Sequence, residues 1–224
     1  MKWFSLLIFS LIIFIPSLSS AQKFNYGIKG GVTLSGVSDL TYETHSKTGF
    51  SIYAFGDYNT SGNFSISTQI GYTQKGFSTN TFDYFTDNIH YYGAINADLN
   101  YIDISVSGKL IFHFKQVSPY ISLGPSLGIK VNTGTSGTGN PELSTRAEIQ
   151  TLLDEIYTNS FGVRTGAGVE LHFIKKMSIL LETNYSYDLI SSYDAPDFRL
   201  GIETWYYSSN VRNSVLEFLV GVKF

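Results

Sequence analysis

The chain has 224 residues, no cysteine, 15% charged residues and 16% aromatic ones. The missing cysteines exclude a disulfide framework and any thiolate metal site. Soluble domains carry about 25% charge, so sparse charge with abundant aromatics suits a surface that meets lipid. Setting aside Lys2 leaves 14 basic against 18 acidic residues, a net charge of −4. That balance lacks the basic footprint of a nucleic-acid binder.

Residues 1–21 read as a secretory signal peptide. Lys2 gives a positive start, Trp3 to Ile15 is apolar apart from Ser5 and Ser10, and Pro16 ends the run. Ser19, Ser20 and Ala21 then offer small residues before a cleavage at Gln22. An apolar run this short falls well below the ~20 residues a spanning helix needs. Residues 22–224 are expected to form one domain.

Eight stretches follow in which apolar and polar residues alternate, placing every second side chain in one environment. The first, Phe24 to Ser35, sets Phe24, Tyr26, Ile28, Val32 and Leu34 against Asn25, Lys29, Thr33 and Ser35. The second, Gly49 to Tyr58, puts Phe50, Ile52 and Ala54 outward, with Tyr53 and Phe55 on the opposite face as an irregularity. The third, Asn63 to Lys75, sets Phe64, Ile66, Ile70 and Tyr72 against Ser65, Ser67, Gln69, Thr73 and Lys75. The fourth, Asn100 to Phe112, sets Ile102, Ile104, Val106, Leu110 and Phe112 against Tyr101, Asp103, Ser105, Ser107 and Lys109.

The fifth, Tyr120 to Asn132, opposes Ile121, Leu123, Leu127, Ile129 and Val131 to Ser122, Ser126 and Lys130. Pro125 lies mid-strand, where it removes a ladder donor, and a local bulge is expected there. The sixth, Phe161 to Phe173, carries Arg164, Glu170 and His172 on its polar face. The seventh, Met177 to Asp188, carries Ser178, Glu182, Asn184 and Asp188 there. The eighth, Asn213 to Phe224, sets Leu216, Phe218, Val220, Val222 and the outward C-terminal aromatic Phe224 against Glu217 and Lys223.

Connections after the second, fourth and sixth strands are short, and the others are long: Val37 to Lys47, Gly76 to about Asn96, Thr133 to Ser160 and Leu189 to Ser209. Bacterial barrels have short periplasmic turns and long extracellular loops, so both termini are expected in the periplasm. Thr133 to Asn140 is Gly/Ser/Thr-rich and reads as a mobile segment. After it, Thr145 to Glu148 has capping-box spacing, and Ile149, Leu152, Leu153 and Ile156 share one face of a short helix. The fold class is therefore all-β. It is an eight-stranded antiparallel up-and-down transmembrane barrel with one short helix in a long extracellular loop.

On this register Lys29, Lys75, Asp103, Lys109, Lys130, Arg164, Glu170, Glu182, Glu217 and Lys223 point inward. Their mixed signs predict a hydrogen-bonded core, since eight strands leave an interior just wide enough to fill with side chains. The competing architecture is a soluble lipocalin-like barrel with the apolar face inside. The Gly/Ser/Asn/Thr-rich polar face and the tyrosines near strand ends favour lipid outside.

Chemistry is sparse. His172 beside Glu170 or Glu182 is the best candidate for an acid–base pair, against a structural role at the membrane edge. Asp83, Asp87 and His90 have no metal-ligand spacing, so neither a metal nor another cofactor is expected. Phe82, Tyr84, Phe85, Tyr91 and Tyr92 either extend a hairpin beyond the membrane or form an extracellular binding surface. No catalytic residue is assigned. A small-solute or ligand-binding barrel, and less so a lipid or peptide hydrolase, are the alternatives to a non-catalytic one.

Asn100 to Val106, with Lys109 and Phe112 and then Pro119 to Gly128, resembles the paired-strand signature of the PorT-like outer-membrane β-barrel family of Bacteroidetes. Tyr26 to Ser35 and Gly166 to Leu171 are similar to other strands of that family. Ser105 stands where the family pattern often has proline. The resemblance implies an outer-membrane address and brings no catalytic residue. It also implies partners among outer-membrane lipid, the barrel assembly machinery and secretion or surface proteins.

Overall fold

The computed structural model describes residues 24–38, 44–79, 82–86, 89–139, 159–174, 177–190, 198–200, 203–205 and 212–224. The strands are β1 (Phe24–Ser38), β2 (Thr44–Ser61), β3 (Phe64–Thr79), β4 (Phe82–Thr86), β5 (Ile89–Ile111) and β6 (Val117–Gly139). They continue as β7 (Ser160–Ile174), β8 (Met177–Asp188), β9 (Phe198–Leu200), β10 (Glu203–Trp205) and β11 (Arg212–Lys223). Eight of them, β1, β2, β3, β5, β6, β7, β8 and β11, close into one antiparallel barrel. The β1–β11 and β3–β5 ladders complete the circle. β4 pairs only with the start of β5, and β9 with β10 forms a separate small hairpin.

Alternation fixes which face is which. Ile28, Ile52, Ile70, Leu123, Val131 and Val220 are each more than half exposed and point outward. Their odd- or even-numbered neighbours, such as Lys29, Ser51, Gln69 and Glu217, are buried inside. An exposed apolar belt over a buried polar interior is the inverse of a soluble barrel and is what surrounding hydrocarbon requires. Aromatic residues mark the edge of the belt. Tyr26 and Phe224 lie 5.9 Å apart between ring centroids where β1 meets the chain end, and Phe24, Phe64, Phe112 and Phe114 are exposed nearby.

Both ends of the barrel chain sit at the short-turn end. The backbone of Phe224 exchanges hydrogen bonds with Tyr26 at 2.7 and 3.3 Å, and Phe24 pairs with Tyr58 near the β2–β3 turn. That turn is Gly62–Asn63, and Gly62 takes a φ of +65°, a conformation glycine adopts without strain. Strong coiling brings backbones together on the inner side. A Cβ added to inward-facing Gly31 would lie 1.9 Å from the Phe218 carbonyl oxygen, so that position admits only glycine.

Three expectations change. The region from Gly76 to Asn96, read as a loop, is mostly strand. β3 continues to Thr79, β5 begins at Ile89, and β4 turns back onto it. The Gly/Ser/Thr segment Thr133–Gly139 is likewise the end of β6, paired with Gly93–Leu99. Turn-like composition misleads here because the segment borrows its order from the ladder with β5, and threonine itself suits strands.

Pro125 carries no bulge. Val106 and Ser107 drop out of pairing with Gly124 and Pro125, and the register resumes unchanged, Ser105 with Ser126 and Gly108 with Leu123. The missing donor is absorbed by an open step in the ladder. The β6 bulge lies instead at Val131, where Asn100 pairs with Asn132 but Tyr101 pairs with Lys130. The short helix predicted around Ile149 to Ile156 lies outside the described residues, as does the signal segment.

Candidate functional site: the charged barrel interior

The inward parity of eight neighbouring strands stacks polar side chains in tiers along the barrel axis. Nearest the short turns, Asp57 of β2, Lys109 of β5, Glu170 of β7 and Lys223 of β11 form a ring of alternating charge. Lys223 Nζ donates to both Glu170 oxygens at 2.6 Å and lies 3.3 Å from Asp57. Lys109 Nζ lies 3.0 Å from Asp57 and 3.9 Å from Glu170. Ser67 donates to the other Asp57 oxygen at 2.6 Å.

One step further in, Lys29 meets Glu182 at 2.5 Å. Tyr120 and Asn184 donate to the same carboxylate at 2.5 and 2.6 Å. The ring faces of Phe55 and Tyr120 complete the cover over the cations. Lys29 stands 5.5 Å from the Phe55 centroid and Lys109 4.4 Å from that of Tyr120, within cation–π range.

The central tier is built on Arg164. Its guanidinium donates to Glu217 at 2.5 Å, to Asp103 at 3.0 Å, to Ser186 at 3.0 Å and to the Tyr53 hydroxyl at 2.7 Å. Tyr53 in turn donates to Glu217 at 2.7 Å and contacts Thr73. Toward the other end, Lys75 lies 3.9 Å from Asp188, 3.4 Å from Ser160 and 4.8 Å from the Tyr101 ring centroid. Above it Leu99 and Ala97 are fully buried and Phe77 nearly so, an apolar cap over the charged stack.

Of the residues expected inside, Lys29, Lys75, Asp103, Lys109, Arg164, Glu170, Glu182, Glu217 and Lys223 are all buried. Lys130 differs. It is half-buried beside the Val131 bulge, and its backbone amide donates to the Asn159 side chain at 3.1 Å. The extra residue ends regular alternation there and leaves Lys130 at the edge of the core. Asp57 and Asp188 complete the core and were absent from the expected set. Asp57 shares its parity with Tyr53 and Phe55, whose aromatic bulk blurs the polar character of that face. Asp188 stands on the polar parity of its strand and was left out of the set of inward charges.

The interior therefore holds five cations against six carboxylates among the described residues. Each carboxylate has a cationic partner within 4 Å, which is the condition for burying charge without prohibitive desolvation. Side chains bridge every wall of the barrel, so the arrangement is that of a packed core.

His172 does not meet a carboxylate. Its Nε2 lies 2.9 Å from Ser118 Oγ and its Nδ1 2.8 Å from Ser178 Oγ, bridging three strands at the short-turn end. Glu170 and Glu182, the expected partners, are held by Lys223 and Lys29 instead. Ser118 is buried, while His172 and Ser178 are half-buried. The side chains of Phe82, Tyr84, Phe85, Tyr91 and Tyr92 lie outside the described ones, as do those of Asp83, Asp87 and His90. Their backbone, Asp87 apart, runs in the β4–β5 hairpin.

Among solved structures the chain is similar to Neisserial surface protein A, with 16% identity and a TM-score of 0.49 over 91% of this chain and 98% of that one. It is similar to OprG of Pseudomonas aeruginosa, with 12% identity and a TM-score of 0.46 over 92% and 98%. Ail, the attachment invasion locus protein of Yersinia pestis, gives 13% identity and 0.43 over 90% and 99%. No curated protein matches the chain. The family model described as outer membrane protein beta-barrel domain matches residues 20–194. A match across most of the sequence, on a closed barrel with an apolar exterior, places the chain in the outer membrane protein beta-barrel domain family and in the bacterial outer membrane.

Proposed function

We propose that this is a non-catalytic outer-membrane barrel that acts through its surfaces, as a structural element or an aid to assembly or secretion. One observation supports this reading most: the interior is filled by an ion-paired core that spans the barrel from the Asp57–Lys109–Glu170–Lys223 ring to the Leu99 cap. An interior so filled leaves no lumen for solute among the described residues, and the two serine–histidine contacts they hold, both at His172, have no carboxylate beside them. The resemblance to the PorT-like family of Bacteroidetes supports the secretion branch of the proposal. The short-turn end, with both chain ends, faces the periplasm, following the habit of bacterial barrels.

Deleting the protein from its host and comparing surface and secreted proteins tests the reading. Loss of a defined set of surface or secreted proteins, restored by the wild-type chain, is the expected result. Unchanged protein profiles together with altered uptake of a small solute would contradict it.

A further inference from the structure

The outer face of the wall from β1 through β2, β3 and β5 to β6 carries two features that meet at one residue. Below, an apolar groove of about 360 Å³ is lined by Ile28, Ile52, Ala54, Ile70, Tyr72 and Ile102. It exists because Ala54 is small while its ladder partners Ile28 and Ile70 and the adjoining Ile52 are large. Above, toward the long-connection end, the outward face changes character. Tyr72 donates to Asn100 Oδ1 at 2.6 Å, and Asn100 donates to Asn132 Oδ1 at 2.7 Å. Gln74 donates to Asp98 at 3.2 Å, and Lys47 pairs with the same carboxylate. Register explains the junction: Tyr72 pairs with Ile102, and Asn100, two residues along β5 on the same face, pairs with Asn132.

We propose that this wall binds one glycolipid of the outer leaflet, with an acyl chain in the groove and the sugar headgroup on the amide ladder. The groove is continuous with the lipid-facing belt and is open on its outer side, so hydrocarbon is its occupant. The ladder sits where that hydrocarbon ends. Its chain of hydrogen bonds runs one way, from Tyr72 to Asn132, and leaves the exposed Asn132 amide with both N–H groups to donate. Asn, Gln and Asp side chains offer paired donors and acceptors that match sugar hydroxyls. Lys47 is neutralised by Asp98, so among the described residues the patch has no spare cation to select a bare phosphate. Phe50 packs against Tyr72 with ring centroids 5.4 Å apart and the planes tilted by 36°, forming an aromatic wall between groove and ladder. The proposal rests on the long-connection end facing outward, but its test does not depend on orientation.

Native mass spectrometry of the purified full chain in detergent is the test, with lipid A, dephosphorylated lipid A and phosphatidylglycerol as probes. Wild-type protein should retain one molecule of either lipid A form and hold phosphatidylglycerol roughly tenfold more weakly. Ala54→Phe, which fills the groove, and Asn132→Ala, which removes the exposed end of the ladder, should each weaken lipid A retention. Neither should change thermal stability in lipid-free micelles. Retention of phosphatidylglycerol equal to that of lipid A overturns the proposal, as does unchanged retention in both variants. Loss of binding on dephosphorylation alone overturns the sugar assignment and with it the proposal. If Ala54→Phe fails to fold, the outward Asn132→Ala variant decides.

Discussion

Tyr53 holds opposite charges with one hydroxyl, accepting from Arg164 and donating to Glu217, both at 2.7 Å. From sequence it looked like a flaw in an otherwise regular strand. Its aromatic ring faces inward because the guanidinium of Arg164 stacks 4.9 Å from its centroid, a contact between β2 and β7 that alternation cannot reveal. Nine of the core charges were legible, because a charge on the polar parity of a membrane strand has only the interior to go to. Their pairing was not, since partners such as Lys29 and Glu182 lie 153 positions apart. Arg164→Met leaves Glu217 and Asp103 buried without their shared cation, and should cost about 3–5 kcal/mol. Tyr53→Phe keeps the direct Arg164–Glu217 pair and should cost only about 1–3 kcal/mol. Urea unfolding of both variants in lipid vesicles checks the order, and a larger loss for Tyr53→Phe would show that the hydroxyl, and not the guanidinium, organises the tier.

At the scale of the strand, register decides everything, because a one-residue slip exchanges the lipid face for the core face. The bulge in β6 carries a spare residue, Val131, between Lys130 and Asn132. Deleting Val131 leaves Lys130 and Thr133 on their present faces and should be tolerated. Deleting Leu127 inverts the strand on one side of the cut and should abolish folding. Migration of unheated samples on a denaturing gel distinguishes a folded barrel from an unfolded chain in each case. Equal folding of both deletions would mean that β6 is not held in register as described. Strand existence and most of both faces were readable from period-two alternation. The bulge was not, because Val131 and Asn132 only reveal themselves against Asn100 and Tyr101 across the ladder. Arginine in place of outward Leu127 or Val220, 40% and 59% exposed, should cost about 2–4 kcal/mol if it enters the midplane of the bilayer.

For the whole molecule, the sum of these contacts is a barrel whose described interior is packed with side chains. Charge balance is near neutral in each tier except that of Arg164, where one cation serves two carboxylates. Large side chains such as Lys29, Tyr53, Lys109, Tyr120, Arg164 and Glu217 reach in from β1, β2, β5, β6, β7 and β11 over small ones such as Ser67, Ser105 and Ser126, which explains why the interior fills. A tag at the C-terminus should be protected from protease on intact cells and cut once the outer membrane is breached. Cleavage in unbroken cells would reverse the orientation. The sealed interior itself is tested most directly by conductance of the purified protein in a planar bilayer. Wild-type protein should give no steady current at any modest applied voltage, and a stable open level passing small ions would contradict the packed core.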